Sequence, residues 1–114
     1  MATLSETFPS LARELSHALL ATDQTSLAEQ LDSAAIDRVT FDPSANAGYI
    51  YLHLARELNI VEKNQVFASR VRESQEVETQ YYTVIDIDNF GRIIGVEVLN
   101  PSVIKASLIE HART

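Results

Sequence analysis

The sequence predicts an α+β fold: a five-stranded, mainly antiparallel meander sheet with an N-terminal helical hairpin packed on one face. Three observations predict it. Apolar residues recur at helical spacing across residues 8–35. From Arg38 the chain turns to Val, Ile, Thr, Tyr and Phe, the residue types that suit a pleated surface. Short turns, with no crossover-length connections, separate the strand-like segments, as antiparallel neighbours allow. The organisation expected is residues 1–37 as a helical hairpin extension and 38–114 as a β-meander, together one compact domain.

Each element has its own signal. Pro9 suits a first helical position, where its missing N–H costs nothing. Leu11, Leu15, Ala18 and Leu19 follow at i, i+4, i+7 and i+8, one apolar stripe. Thr22 to Thr25 interrupts it. Ser26-Leu-Ala-Glu29 has the spacing of a capping box, and Leu27, Leu31 and Ala34 or Ala35 make a second, shorter stripe. Val39 to Phe41 reads as the first strand. Asp42-Pro43-Ser-Ala-Asn-Ala-Gly48 reads as a turn in which Asp42 bonds backbone N–H groups and Asn or Gly takes positive φ. Tyr49 to Leu54 alternates, with Ile50, Leu52 and Leu54 on one face and Tyr49, Tyr51 and His53 on the other.

Val66 to Arg72 reads as a third strand, and Glu73 to Gln80 as a charged, solvated segment. Tyr81 to Asp88 is the strongest strand signal. Asp88-Asn-Phe-Gly91-Arg92 is a hairpin turn with Gly91 at positive φ. Ile93 to Leu99 returns as the fifth strand, with Gly95 marking a bulge or a close approach. Asn100-Pro101-Ser102 ends it, and the tail after Val103 suits a last helical turn or two.

Composition narrows the function. The chain has 114 residues, 46% of them apolar, and no cysteine. That excludes a disulfide scaffold, a thiolate metal site and a cysteine nucleophile. No apolar run approaches the roughly 18 residues of a membrane helix. The first residues carry neither a basic segment nor an unbroken apolar run, so no signal peptide is expected and the protein reads as cytoplasmic. The net charge is −7. A general negative field opposes nucleic acid and would suit a basic protein partner, although ordinary solubility explains a charge of this size equally well.

Two stretches resemble a known family of small bacterial and archaeal proteins, domain of unknown function 2283. The first is Val39-Thr-Phe-Asp42-Pro-Ser-Ala-Asn-Ala-Gly-Tyr49-Ile50-Tyr-Leu52, similar to the family's opening strand, Asp turn and Tyr-Ile strand. The second is Val84-Ile-Asp86-Ile-Asp88-Asn-Phe-Gly91-Arg92-Ile-Ile-Gly95-Val96-Glu97-Val98-Leu99, similar to its closing Asp-x-Asp-x-x-Gly turn and final strand. The resemblance covers roughly residues 38–102. Asn46 stands where the family usually has Asp, and Gly48 where it usually has an apolar residue. The resemblance implies a small β-rich domain and no established activity. Genes of this family often stand beside small toxin-like genes, which implies an antitoxin-like role as one alternative.

No constellation identifies a reaction. Asp86, Asp88, Gly91 and Glu97 fall at positions 1, 3, 6 and 12 of a calcium loop, but Phe90 and Ile94 occupy ligand positions and the flanks read as strands. In the plainer reading Asp86 faces water and Asp88 bonds the turn. Asp86 and Glu97 would also form a carboxylate pair across two strands, without a nucleophile beside them. His17, His53 and His111 lie on different elements at no metal-ligand spacing. Arg70 and Arg72, with Lys63, would make a small basic ribbon, or else pair with Glu73, Glu76 and Glu78. Tyr49, Tyr51 and His53 form a polar-tipped aromatic face, a composition enriched in interfaces.

The expectation is therefore a non-enzymatic interaction module acting as a homodimer, with no cofactor. The alternatives are a metal or small-ligand protein using Asp86, Asp88 and Glu97, and an acidic partner of a basic toxin.

Overall fold

The computed structural model describes residues 2–52 and 71–113. The chain begins with a capping box: the Thr3 hydroxyl accepts from the Glu6 N–H, and the Glu6 carboxylate accepts from the Thr3 N–H. This starts α1 (Leu4–Thr7). Pro9 opens α2 (Pro9–Ala21), as its fixed φ allows. The stripe is realised: Leu11, Leu15 and Leu19 are fully buried. Asp23, at φ 61°, breaks the helix before α3 (Thr25–Leu31). The expected Ser26–Glu29 capping box does not form, because α3 starts at Thr25 and Ser26 already lies inside it. The same Thr/Ser-x-x-Glu signature at Thr3–Glu6 is the one used.

Five strands follow: β1 (Ile36–Asp42), β2 (Ala47–Leu52), β3 (Val71–Val77), β4 (Thr83–Asp88) and β5 (Ile93–Val98). They form an antiparallel sheet, as expected, in the order β1-β2-β5-β4-β3. The meander expectation holds for β1-β2 and for β3-β4-β5, but β5 and not β3 lies beside β2. Burial explains the exchange. β5 is buried at Ile93, Ile94, Val96 and Val98 and takes the centre. β3 is charged and largely exposed and takes an edge, where such residues are tolerated.

β3 also corrects the third-strand boundary. Val66 to Arg70 lie outside the described residues, and the strand runs through Glu73 to Glu76, a segment whose charge made it read as loop. An edge strand with polar residues on both sides has no apolar alternation to reveal it. β4 begins two residues later than expected, because Tyr82 adopts φ 48° and cannot continue a strand.

The tail forms α4 (Lys105–Ala112), which packs on β1. Its Leu108 is fully buried, and a Cβ on Gly48 would lie 2.8 Å from the leucine Cδ1, so the glycine lets that methyl group settle against the sheet. By strand alternation Gly48 shares its face with Ile50 and Leu52. Those residues join Val39, Ile85, Val96 and Val98 in one core with Leu4, Phe8, Leu11, Leu15 and Leu31. The N-terminal helices therefore pack into the sheet's own core. Backbone bonds at 2.8 Å from Leu4 N–H to the Ala34 carbonyl and 3.0 Å from Ile36 N–H to the Ala2 carbonyl close that layer.

The two expected turns form around aspartates. Asp42 accepts from the Ser44 hydroxyl and from the N–H groups of Ala45 (3.4 Å) and Ser44 (3.0 Å), and these bonds, the hydroxyl's first, hold its carboxyl below the ordinary range. Asn46 takes the positive φ of that turn, at 50°. At the other turn the Asp88 Oδ1 accepts from Phe90 N–H and Arg92 N–H, both at 2.9 Å, and Oδ2 meets Arg92 Nε at 2.9 Å. Asp88 is only 2% exposed. Burial pushes its carboxyl up, but the bonds from Arg92 and Phe90 outweigh this and leave it below the ordinary value of 3.8. Gly91 stands at φ 77°. Gln30 of α3 then reaches over, donating to the Gly91 carbonyl (2.9 Å) and accepting from Ile93 N–H (2.8 Å).

Two expectations follow. Gly91→Val costs about 1–2 kcal/mol through backbone strain alone, since no atom lies within 4 Å of a Cβ there; a urea melt indistinguishable from wild type would refute the turn. Asp88 contributes stability that is present above the unfolded aspartate pKa and lost as pH falls through its lower folded value. Below about pH 4 the wild type should lose stability more steeply than Asp88→Asn, as read from thermal melts across pH.

Candidate functional site: the tyrosine face of the sheet

Every described helix packs on the face that carries Ile50, Ile85 and Val96. The opposite face is a row of residues set by strand register. Arg38 of β1 stands opposite Tyr51 of β2, Tyr51 opposite Gly95 of β5, Gly95 opposite Asp86 of β4, and Asp86 opposite Ser74 of β3. The row crosses all five strands and has one gap, at Gly95. Tyr49, one step along β2, fills it.

The Tyr49 ring leans over Gly95 so closely that a Cβ there would lie 1.9 Å from the hydroxyl oxygen. Its hydroxyl donates to Asp86 Oδ2, and the Ser74 hydroxyl donates to Asp86 Oδ1. Burial first, and then the bond to Asp86, raise the Tyr49 pKa beyond the ordinary tyrosine range, so the hydroxyl stays a donor. On its other side Tyr49 meets Tyr51, ring centroids 4.7 Å apart and tilted by 55°. The Arg38 guanidinium lies 4.1 Å from the centre of the Tyr51 ring, a cation–π distance. The result is a braced seam running Arg38, Tyr51, Tyr49, Asp86, Ser74.

The sequence placed Tyr49 and Tyr51 on a common face, and the structure puts them side by side there. His53 lies outside the described residues, as do Arg70 and Lys63. What the sequence did not reveal is that the Tyr49 hydroxyl is used within the sheet, nor that Arg38 and Ser74 belong to the row. Gly95 carried the one available signal, a glycine inside a strand.

The carboxylates are divided. Asp86 and Glu97 share the tyrosine face, but Asp88 is held in its turn by Arg92 and Phe90. The calcium-loop spacing spans two extended strands, which spread residues that a compact loop would gather. Among the described residues no three His, Asp or Glu side chains are grouped to hold a metal. His17 sits on α2, and His111 on α4 lies against the Phe8 ring at 5.4 Å. Arg72 forms no ion pair with Glu73, Glu76 or Glu78.

The stretch that holds the seam also decides the family. The sequence model described as protein of unknown function (DUF2283) matches residues 38–102, from Arg38 in β1 to just past β5. The chain belongs to this family. The match covers more than half of the chain and includes every seam residue, while α1 to α3 and α4 lie outside it. No curated protein and no solved structure matches the chain. No described helix is long and apolar enough to cross a membrane.

The seam predicts strong coupling between Tyr49 and Gly95. Gly95→Ala drives the ring off Asp86 and should cost about 1–3 kcal/mol, the usual range for overpacking. In a Tyr49→Ala background the same change should be neutral or stabilising, since alanine is otherwise the better strand residue. Additive costs in this double-mutant cycle would show that the ring does not occupy the gap.

Proposed function

We propose that this DUF2283 member is a non-enzymatic protein-interaction module that acts as a homodimer assembled on its sheet. The observation that supports the reading is one-sidedness. Every described helix covers one face, and the other is finished with polar-tipped aromatics braced by their own neighbours. A surface of large, rigid side chains loses little entropy when covered, which is why tyrosine is enriched in interfaces. A two-fold assembly also suits a sheet, because an antiparallel pairing of identical strands is self-complementary. The Asp86, Asp88 and Glu97 carboxylates favour no second reading, because Asp88 is engaged in its turn.

Light scattering tests the proposal. Over roughly 1–100 μM, a range set by dissociation constants typical of modest interfaces, the mass should rise to twice that of the chain. A monomer throughout would overturn it.

A further inference from the structure

We propose that the second copy docks on the outer edge of β3, which pairs antiparallel with its own counterpart to make one continuous sheet. This rests on the homodimer reading and sets its contact at the sheet edge instead of on the tyrosine face. Among the described residues β3 has β4 as its sole neighbour, so the backbone groups on its far side face outward.

The sequence of β3 selects the register. A two-fold axis normal to the sheet keeps each face on its own side, so the pairing must centre on a residue rather than between two. Centring on Glu73 or Glu76 would set identical carboxylates opposite each other, and centring on Arg72 would set two guanidiniums together at the bulge between Val71 and Glu73. Centring on Val77 would set Glu76 against Glu78, and centring on Val71 would leave most of β3 unpaired, so Ser74 and Gln75 remain. Centred on Ser74, Val71 faces Val77, Arg72 faces Glu76 and Glu73 faces Gln75. Centred on Gln75, Arg72 faces Glu78. Either way, Arg72 of each copy lands at the Glu76–Glu78 end of the other, twice per dimer.

That end is ready for it. Arg72, Glu76 and Glu78 are exposed, and among the described residues none of them has an ion-pair partner. Glu76 and Glu78 border a depression of about 210 Å³ walled by Val84, Tyr82 and Leu99. Tyr82 is 67% exposed and Leu99 49%, the kind of apolar surface on which an arginine stem packs while its head reaches the carboxylates.

Charge reversal tests the edge. Arg72→Glu alone, and Glu76→Arg with Glu78→Arg in one chain, should each weaken self-association by roughly tenfold or more, because two cross-strand pairs turn repulsive. All three positions are exposed, so the folds survive, as circular dichroism will verify. An equimolar mixture of the two variants restores opposite charges at both ends. It should give a heterodimer of near wild-type affinity by native mass spectrometry and light scattering. Variants that still dimerise like wild type, or a mixture that fails to rescue, would overturn the edge and leave the homodimer reading standing. Dissociation by Tyr51→Ala alone would move the interface to the tyrosine face and likewise overturn the edge. A monomeric wild type would overturn both.

Discussion

The buried carboxylate of Asp88 is the interaction on which the arrangement of this sheet rests. β5 is the central strand, and the turn from Asp88 to Arg92 folds it back against β4. Two backbone N–H groups and one guanidinium converge on that carboxylate. A tight turn of this kind fixes register, and a slip of one residue would send Ile85 and Ile87 to the wrong face. The Gln30 amide extends the constraint to the helical layer by bonding the backbone on both sides of Arg92. One charged side chain and one amide thus join the helices, the central strands and the turn. Burying an ionised group is costly unless its hydrogen bonds are met, and here they are met chiefly by local donors.

The register set at this turn reaches the other face. Gly95 comes opposite Asp86 because of the β4–β5 pairing, and opposite Tyr51 because of the β2–β5 pairing. Only with both pairings in place does the gap at Gly95 lie between Tyr49 and Asp86. The seam is therefore a product of topology. It ties β2 to β4 across a strand that both of them flank, side chain to side chain, where the backbone provides no direct link.

Much of this was legible in the sequence. The α2 stripe, the alternation in β2, the Asp88–Gly91 turn and the α+β class all rest on local periodicity or on single residues with narrow conformational preferences. The order of the strands did not, because nothing local says that β5 inserts beside β2. It follows from which strand is apolar enough to be flanked on both sides. β3 escaped notice for the opposite reason: an edge strand keeps its charges, and Glu73 to Glu76 look the same in a loop. The capping box at Thr3–Glu6 was there to be read, ending three residues ahead of a proline that drew attention to the next helix. In the candidate site, the tyrosines were visible as a pattern, while their partners Arg38, Gly95, Asp86 and Ser74 belong to strands distant in sequence. Asp86 and Asp88 looked alike as neighbours two residues apart, yet one ends on the sheet face and the other inside a turn.

The contact between the Tyr49 ring and the bare α-carbon of Gly95 makes these two positions a single heritable unit. A descendant that gains a side chain at 95 must first, or at once, lose the large ring at 49, and one that has already lost the ring meets no barrier at 95. Related sequences should thus sort into two groups, large with glycine or small with anything, and few should occupy the fourth combination. The order of changes along a lineage would be constrained in the same way, with the aromatic position yielding before the glycine or together with it.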